Sequence, residues 1–450
     1  MEMITIKFPL KYYQHYKYDI LSGHNYLTPN IMNEGLSYLN TLGLHRVKPG
    51  LKRITKLLQL LDNPHVSAPC VIIAGTNGKG SVASAISSVL TKSGYNTGLY
   101  TSPHLIHINE RIRIDGLEIK IDSLSEILLR IKKISDESLL ETPSYFEVIT
   151  AAAFVYFAQM NVDFSVLEVG MGGRWDATNV ITPLVSVITN VSYDHTEYLG
   201  STIPEIAAEK ACVIKPGVPV TTGTEESALE IIRNKAIKNN SPLTVMGKDF
   251  SAGRNEDGSF SYSGTDWNFR DLKSTLKGVY QLMNQAVAIS ALEALSKYHD
   301  INIDEADLRE GLMNVSWGGR YEVLRDNAPL ILDSAHNPAG AKALVDSIIQ
   351  EYPGVKFNFL IGMLSDKNHD LYMREIARIA DKITVTQVPS EKTLSAGKLR
   401  ETAETVVADV DIIPDHIAAF EQLSTEPHPL CITGSLYLIG AIKELLDHQS

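Results

Sequence analysis

The chain has 450 residues, 44% of them hydrophobic, and its 41 Lys and Arg against 53 Asp and Glu give a formal net charge of -12. That length passes the roughly 250–300 residues at which a single core stops growing, so two domains are expected. The acidic balance argues against nucleic acid as the main partner, because phosphate backbones demand clustered Lys and Arg.

No apolar run approaches the ~18–20 residues of a membrane span, and the N-terminal region mixes Lys, Tyr and His without the apolar stretch of a signal peptide. Cys70, Cys212 and Cys431 are far apart and odd in number, which suits free thiols in a reducing compartment. A cytoplasmic enzyme acting on small molecules, with no membrane partner, is the expectation.

In chain order, the apolar run Cys70 to Ala74 reads as a buried strand. It is followed by Gly75-Thr76-Asn77-Gly78-Lys79-Gly80-Ser81. Val82, Ala85, Ile86, Val89 and Leu90 then fall on one helical face. Strand, glycine-rich turn and helix are the context of a phosphate-cradling loop: backbone N–H groups and the helix dipole face the anion, and Lys79 adds a mobile cation. The spacing departs from G-x-x-x-x-G-K-[ST], since Ile73 stands where its first glycine would be and the hydroxyl comes one place late, at Ser81.

Asn96 to Tyr100 reads as a second strand, about Phe146 to Met160 as a helix, and Phe164 to Val169 and Val185 to Thr189 as further buried parallel strands. Thr202 and Glu205 have capping-box spacing and open a helix that reaches Ala211. Alternating Phe260, Tyr262, Trp267 and Phe269 within 251–271 predict a small antiparallel excursion. Helices follow over Tyr280 to Tyr298 and Asp304 to Leu312.

From Leu330 the rhythm restarts, with strands predicted at 330–332, 355–361, 383–386, 410–413 and 430–433 between amphipathic stretches. The expected class is α/β: a mostly parallel sheet domain with the phosphate loop over 1–315, then a smaller doubly wound, Rossmann-like domain over 316–450, hinged near Trp317-Gly318-Gly319-Arg320.

Ligands of open parallel sheets sit beyond the carboxyl ends of the strands, and those ends are unusually polar here. The second strand ends in Thr101-Ser102-Pro103-His104, the third delivers Glu168 and a glycine-rich turn ending in Arg174-Trp175-Asp176, and the fourth leads to Asn190, Asp194 and His195. Magnesium accompanying a nucleotide takes oxygen ligands and commonly one or two carboxylates, so Glu168 suits it best. Taken singly, Ser102 reads as a helix cap, Glu168 as a strand-end charge and His195 as a loop histidine; three such residues at successive strand ends shift the reading toward one site.

The phosphate loop, Thr101 to Leu105 with Glu110-Arg111-Ile112, Glu168 to Arg174 with Asp176 to Asn179, and Asn190 to His195 resemble the folylpolyglutamate synthase and dihydrofolate synthase branch of the Mur ligase superfamily. The likeness continues through Glu209-Lys210-Ala211, Gly319 to Glu322, Asp333 to Pro338 and Gly434 to Tyr437, and spans about Lys48 to Ile442.

The resemblance implies ATP-dependent joining of L-glutamate to the γ-carboxyl of a reduced folate, with dihydropteroate as the acceptor of a second activity, through an acyl phosphate. The nucleotide would be held by Gly75, Thr76, Asn77, Gly78, Lys79, Gly80 and Ser81, with Asn284, Arg320, Asp333 and His336 completing its site. One Mg2+ would lie near Ser102 and Glu168 and a second near Glu168 and His195, with a monovalent cation as a further ligand. Lys79, Glu168, His195 and Lys210 would be catalytic, Lys210 as a carbamate. Phe146, Arg174 and Asp176 would meet the organic substrate, although Phe146 reads equally as core, Arg174 as a solvated loop residue and Asp333 as a cap of the helix near Pro338.

The resemblance also implies a monomer. Tyr280, where many relatives carry histidine, and Trp175, bulkier than their leucine, depart from the pattern. Alternatives of other classes are a phosphate-loop kinase and a nucleotide-dependent switch; within the superfamily, it is a peptidoglycan-precursor ligase.

Overall fold

A computed structural model describes residues 29–43, 48–325 and 327–449. The larger sheet is built from β1 (Cys70–Ala74), β2 (Thr97–Tyr100), β3 (Ile112–Ile114), β4 (Leu117–Glu118), β5 (Phe164–Glu168), β6 (Val185–Ile188), β7 (Val220–Thr222) and β8 (Leu243–Val245). Their spatial order is β4-β3-β2-β5-β1-β6-β7-β8. All pairings are parallel except β2 with β3 and β3 with β4. The chain leaves β1 toward β2 on one side and later adds β6 on the other, so the loop after β1 opens at the point where strand order reverses, the expected place for a ligand.

Burial explains why β1 sits at the centre. Cys70, Ile72 and Ala74 pack into one core while Val71 and Ile73 pack into the other, on the opposite face of the sheet. An all-apolar strand satisfies helices on both faces, as parallel sheets require. The register sets Ile73 beside Glu168 and Ala74 beside Ile188, which aligns the carboxyl ends of β5, β1 and β6.

Helix α1 (Lys79–Lys92) follows β1, α2 (Tyr145–Gln159) precedes β5, and α3 (Ile203–Lys210) follows β6. The predicted capping box of α3 is present, with Thr202 accepting from the Glu205 amide. A second box opens α2: Ser144 accepts from the Glu147 amide and Glu147 accepts from the Ser144 amide at 2.7 Å.

The antiparallel excursion forms three strands, β9 (Ser251–Arg254), β10 (Phe260–Ser263) and β11 (Asn268–Leu272), seated on α4 (Val279–His299). Their tie to α4 is the buried Glu293 carboxylate, which accepts from the Tyr262 hydroxyl at 2.7 Å and the Trp267 amide at 2.8 Å.

The second sheet contains β12 (Glu322–Arg325), β13 (Leu330–Leu332), β14 (Phe357–Ile361), β15 (Ala380–Val385), β16 (Val410–Ile412) and β17 (Leu430–Thr433), ordered β12-β13-β17-β14-β15-β16. The five strands predicted from apolar runs are the parallel ones, and β12 adds an antiparallel edge. Ile331, Phe359 and Ile383 fill one face, and Leu330, Leu360 and Ile432 the other. Helix α5 (Pro338–Glu351) follows β13, and its N-cap is Asn337, whose side chain accepts from the Gly340 amide, not Asp333. Cys70, Cys212 and Cys431 are free thiols. Among the described residues no helix is long and apolar enough to cross a membrane.

Because Ser144 is buried and holds the first turn of α2, Ser144→Ala is expected to lower stability by about 0.5–2 kcal/mol in urea titrations.

Candidate active site

The loop after β1 is fastened to the loop after β6. The Thr76 amide donates to the Asn190 carbonyl at 3.0 Å, the Asn77 amide to Asn190 Oδ1 at 2.9 Å, and Thr189 Oγ1 to the Asn77 carbonyl at 2.6 Å. Gly78 begins α1 with φ +81, and a Cβ there would strike the Asn284 side chain of α4. Only glycine meets both conditions. Asn284 is held in turn by Gln281 at 2.9 Å, and Gln281 donates to Ser81 Oγ at 3.2 Å. The late hydroxyl of the loop thus belongs to a buried relay between α1 and α4.

Around this loop lies a cleft of about 700 Å³, lined by Gly75 through Ser81, Ser102, Glu168, His195, Lys210, Asn284, Arg320, Asp333 and His336. Every residue expected to meet nucleotide, metal or carbamate lines this one cleft. A second cavity of about 420 Å³ shares Ser102, Gly170, Met171, Gly172, His195 and His336 with it and adds Phe146, Asp176, Arg111 and Trp175. Arg174 lines neither; its guanidinium turns to Glu209, with Nε 2.8 Å from Oε1.

Glu168 is buried at the tip of β5, and Oε2 accepts from the Ser102 amide at 3.0 Å. Burial pushes its carboxyl up, while Lys79, the Ser102 N–H, Arg320 and Arg111 work in the opposite direction. Lys79 Nζ donates to the Thr76 carbonyl at 3.1 Å, which keeps it beside the loop it would serve.

Lys210, in the last turn of α3, is 3% exposed and donates to the Gly75 carbonyl at 2.7 Å. Loss of solvent, reinforced by Lys79 and opposed by Asp194, brings its ammonium down to about 7. Near neutral pH a large share of this amine is therefore uncharged, the state that reacts with electrophiles.

Burial holds His195 below the ordinary imidazole range, helped by Lys367, His336 and Lys79 against Asp194, so its ring is neutral at neutral pH. Burial also works against the Asp194 carboxylate, but His336, Lys367 and His195 outweigh it and keep it well below the usual carboxylate range.

Among the described residues no group of three or more His, Cys, Asp and Glu could hold a metal ion by itself. Magnesium that accompanies a nucleotide keeps several waters, shares phosphate oxygens and needs only one or two protein carboxylates. The donor set present, the Glu168 carboxylate with the Ser102 hydroxyl and the neutral His195 ring on one cleft, fits such an open site.

On the opposite wall Asp333 is buried beyond β13. Oδ2 accepts from the Tyr280 hydroxyl at 2.6 Å and the Tyr321 amide at 2.9 Å, and Oδ1 from the Ala335 amide at 2.8 Å. The tyrosine at 280 is thus a tie to the second sheet. In the second cavity, Phe146 lies against Gly170 so closely that a Cβ there would sit 2.5 Å from its ring. Asp176 is buried; its oxygens accept from Met171 N at 3.0 Å and from Thr178 N and Oγ1 at 3.0 and 2.6 Å, which orders the glycine-rich turn.

Three residues given no role from sequence also stand here. Arg111 is 3% exposed, donates to His104 Nδ1 at 2.9 Å and lies 5.7 Å over the Tyr145 ring, placing a cation at the wall of the second cavity. Asp194 and Lys367 form a buried ion pair at 2.7 Å. Lys367 follows β14 closely, so the strand-end rule alone could have flagged it.

The Mur ligase middle domain matches residues 73–292 and the Mur ligase glutamate ligase domain matches residues 319–436. The chain is 34% identical over 411 residues to the dihydrofolate synthase/folylpolyglutamate synthase of Bacillus subtilis, covering 89% of this chain and 95% of that protein. It superposes on the folylpolyglutamate synthase of Thermotoga maritima with a TM-score of 0.81 at 40% identity, covering 92% of this chain and 97% of that one. It superposes on the bifunctional folylpolyglutamate synthase/dihydrofolate synthase of Yersinia pestis, complexed with AMPPNP and a Mn ion, with a TM-score of 0.83 at 28% identity, covering 92% and 98%.

The depressed Lys210 ammonium carries a pH signature. Between about 7 and its ordinary 10.5 the unfolded chain binds the extra proton, so the folded state gains stability as pH rises through that window. In CO2-free urea titrations this group should contribute a slope of roughly 1.4 kcal/mol per pH unit there, and Lys210→Met should remove it.

Proposed function

The chain belongs to the folylpolyglutamate synthase/dihydrofolate synthase family and carries its Mur ligase domains, and from that premise we propose that it is an ATP-dependent ligase joining the amino group of L-glutamate to a folate-type carboxyl group. The finer reading is addition to the γ-carboxyl of a reduced folate, with dihydropteroate as a second acceptor. The observation that carries it is the shared wall of the two cavities, where Ser102, Gly170 to Gly172 and His195 border both a phosphate loop and a cavity containing Phe146 and Asp176. A carboxylate reaching from the second cavity meets a terminal phosphate in the first.

A carboxylate resists attack by an amine because its charge repels the lone pair and oxide is a poor leaving group. Attack of the carboxylate oxygen on the γ-phosphorus breaks the bond to ADP and makes an acyl phosphate. The glutamate nitrogen then adds to the acyl carbon, phosphate departs and the amine gives up its proton. This chain's part is positioning and charge neutralisation. Lys79 and the loop amides hold the β and γ phosphates, and Arg320 and Asn284 hold the nucleotide from the hinge and from α4.

Divalent metal, when bound, spreads the charge of the transferring phosphoryl group. Ser102, Glu168 and His195 are the residues that would hold it, as two Mg2+ in the full reading; a monovalent cation is a further expected ligand. Lys210, buried and largely able to shed its proton, supports a carbamate, in which the amine nitrogen bonds the carbon of CO2 and loses a proton. Phe146 offers a π face to a flat heterocycle, and Asp176 offers acceptors to its N–H edge. Arg111, already inside the second cavity, is better placed than Arg174 to attract a carboxylate. A monomer working in the cytoplasm completes the proposal.

The discriminating measurement is ADP release with a folate acceptor, with and without glutamate. A ligase needs both, a kinase turns over with the acceptor alone, and a switch hydrolyses slowly whatever is added. Lys79→Ala and Glu168→Ala should each lower kcat by at least about 100-fold with either acceptor; retained turnover would remove that residue from the chemistry. Carbon-13 NMR after incubation with labelled bicarbonate should show a carbamate signal that Lys210→Met abolishes.

A further inference from the structure

Asp194 stands on the loop after β6, yet most of what grips it comes from the other sheet. Oδ1 accepts from Lys367 Nζ at 2.7 Å and from the backbone amide of His195 at 2.9 Å; Oδ2 accepts from Asn337 Nδ2 at 3.0 Å and lies 3.4 Å from His336 Nε2. Lys367, Asn337 and His336 all follow strands of the second sheet. The Asp194 and Lys367 side chains are 8% and 7% exposed, so both charges have left water. Asn337 reaches further, exchanging amide hydrogen bonds with Asn77 of the phosphate loop at 3.2 and 3.0 Å.

Each ion of such a pair costs several kcal/mol to desolvate, and the cost is met only while the partner is in place. Were the second sheet to draw away, the Asp194 carboxylate would hydrate, and its bond to the His195 amide would compete with water. That bond matters because His195 holds φ +51, a left-handed conformation uncommon for a non-glycine residue.

We propose that Asp194 is a positioning residue that converts docking of the second sheet, through Lys367 and Asn337, into placement of His195 and of the phosphate loop. The inference rests on the ligase reading for what the placed groups do. Nucleotide could enter while the two sheets are apart, and the phosphate end would be assembled only when Asp194 is gripped. Coupling closure to assembly keeps water from the terminal phosphate until the acceptor is enclosed.

The test compares Asp194→Asn, Lys367→Met and their double variant with the wild type. Each single variant should lower kcat about 100-fold, as misplacement of a reacting group does, while KM for ATP moves by less than about threefold. The double variant should be no slower than the worse single, because both remove one latch. Lys367→Arg should restore most of the rate.

Solution scattering with AMPPNP, magnesium and folate supplies a readout independent of turnover: the wild type contracts and Asp194→Asn does not. Should Asp194→Asn fail to fold, Asn337→Asp serves instead, since it keeps a good helix cap but sets two carboxylates against each other; it should lower kcat and abolish the contraction, and wild-type values of both would overturn the proposal. Unchanged kcat in the single variants, multiplicative losses in the double, or equal contraction of wild type and variant would overturn the proposal. A wild type with no glutamate-dependent ADP release would sink the ligase reading instead, and the scattering comparison would still decide the latch.

Discussion

The parallel register of β1 between β5 and β6 is the constraint on which the rest depends. It brings three carboxyl-terminal strand ends level, so that a glycine-rich loop, a carboxylate and the Asn190–His195 loop open into one cleft. Because β1 is apolar on both faces, its side chains satisfy both cores, and its alignment is held by the ladders to β5 and β6 on either side.

That cleft gathers charge of both signs. A molecule with a formal charge of -12 gathers Lys79, Lys210 and Arg320 around its phosphate loop, with Arg111 and Lys367 on the adjoining cavity. Glu168 and Asp333 are buried among these cations with their carboxyls pushed up, and Lys210 is pushed down. Buried charge of this kind is costly alone and becomes favourable when a polyanion and its counter-cation arrive. The cations beside the phosphate loop would meet a ligand of concentrated negative charge, and the carboxylates among them would face its counter-cation.

The fold is legible in the sequence wherever apolar runs are long. The strands 70–74 and 164–168 and, in the second sheet, β13, β14 and β17 were legible because burial on both faces makes them near-continuous hydrophobic segments, and β15 and β16 through their shorter apolar runs. Strands β3, β4, β7, β8 and β12 were not, since two to four residues carry no period. Among the site residues, those on strand ends were visible as polar groups after apolar runs. Arg111 escaped because its place at the cavity wall depends on what packs around it, and glycines beside a cation look the same whether it points into a cavity or, as Arg174 does, toward Glu209.

The class, the phosphate loop with its strand and helix, and the family likeness are written in local order: periodicity, glycine placement and motif spacing. Which charges leave water together is a property of the folded chain alone. Lys210 is an ordinary helix lysine until α3 packs it against the Gly75 carbonyl beside Lys79, and Asp194 is an ordinary loop aspartate until Lys367, some 170 residues later, closes on it. Desolvation and Coulomb coupling depend on three-dimensional neighbours, and no reading along one dimension contains them.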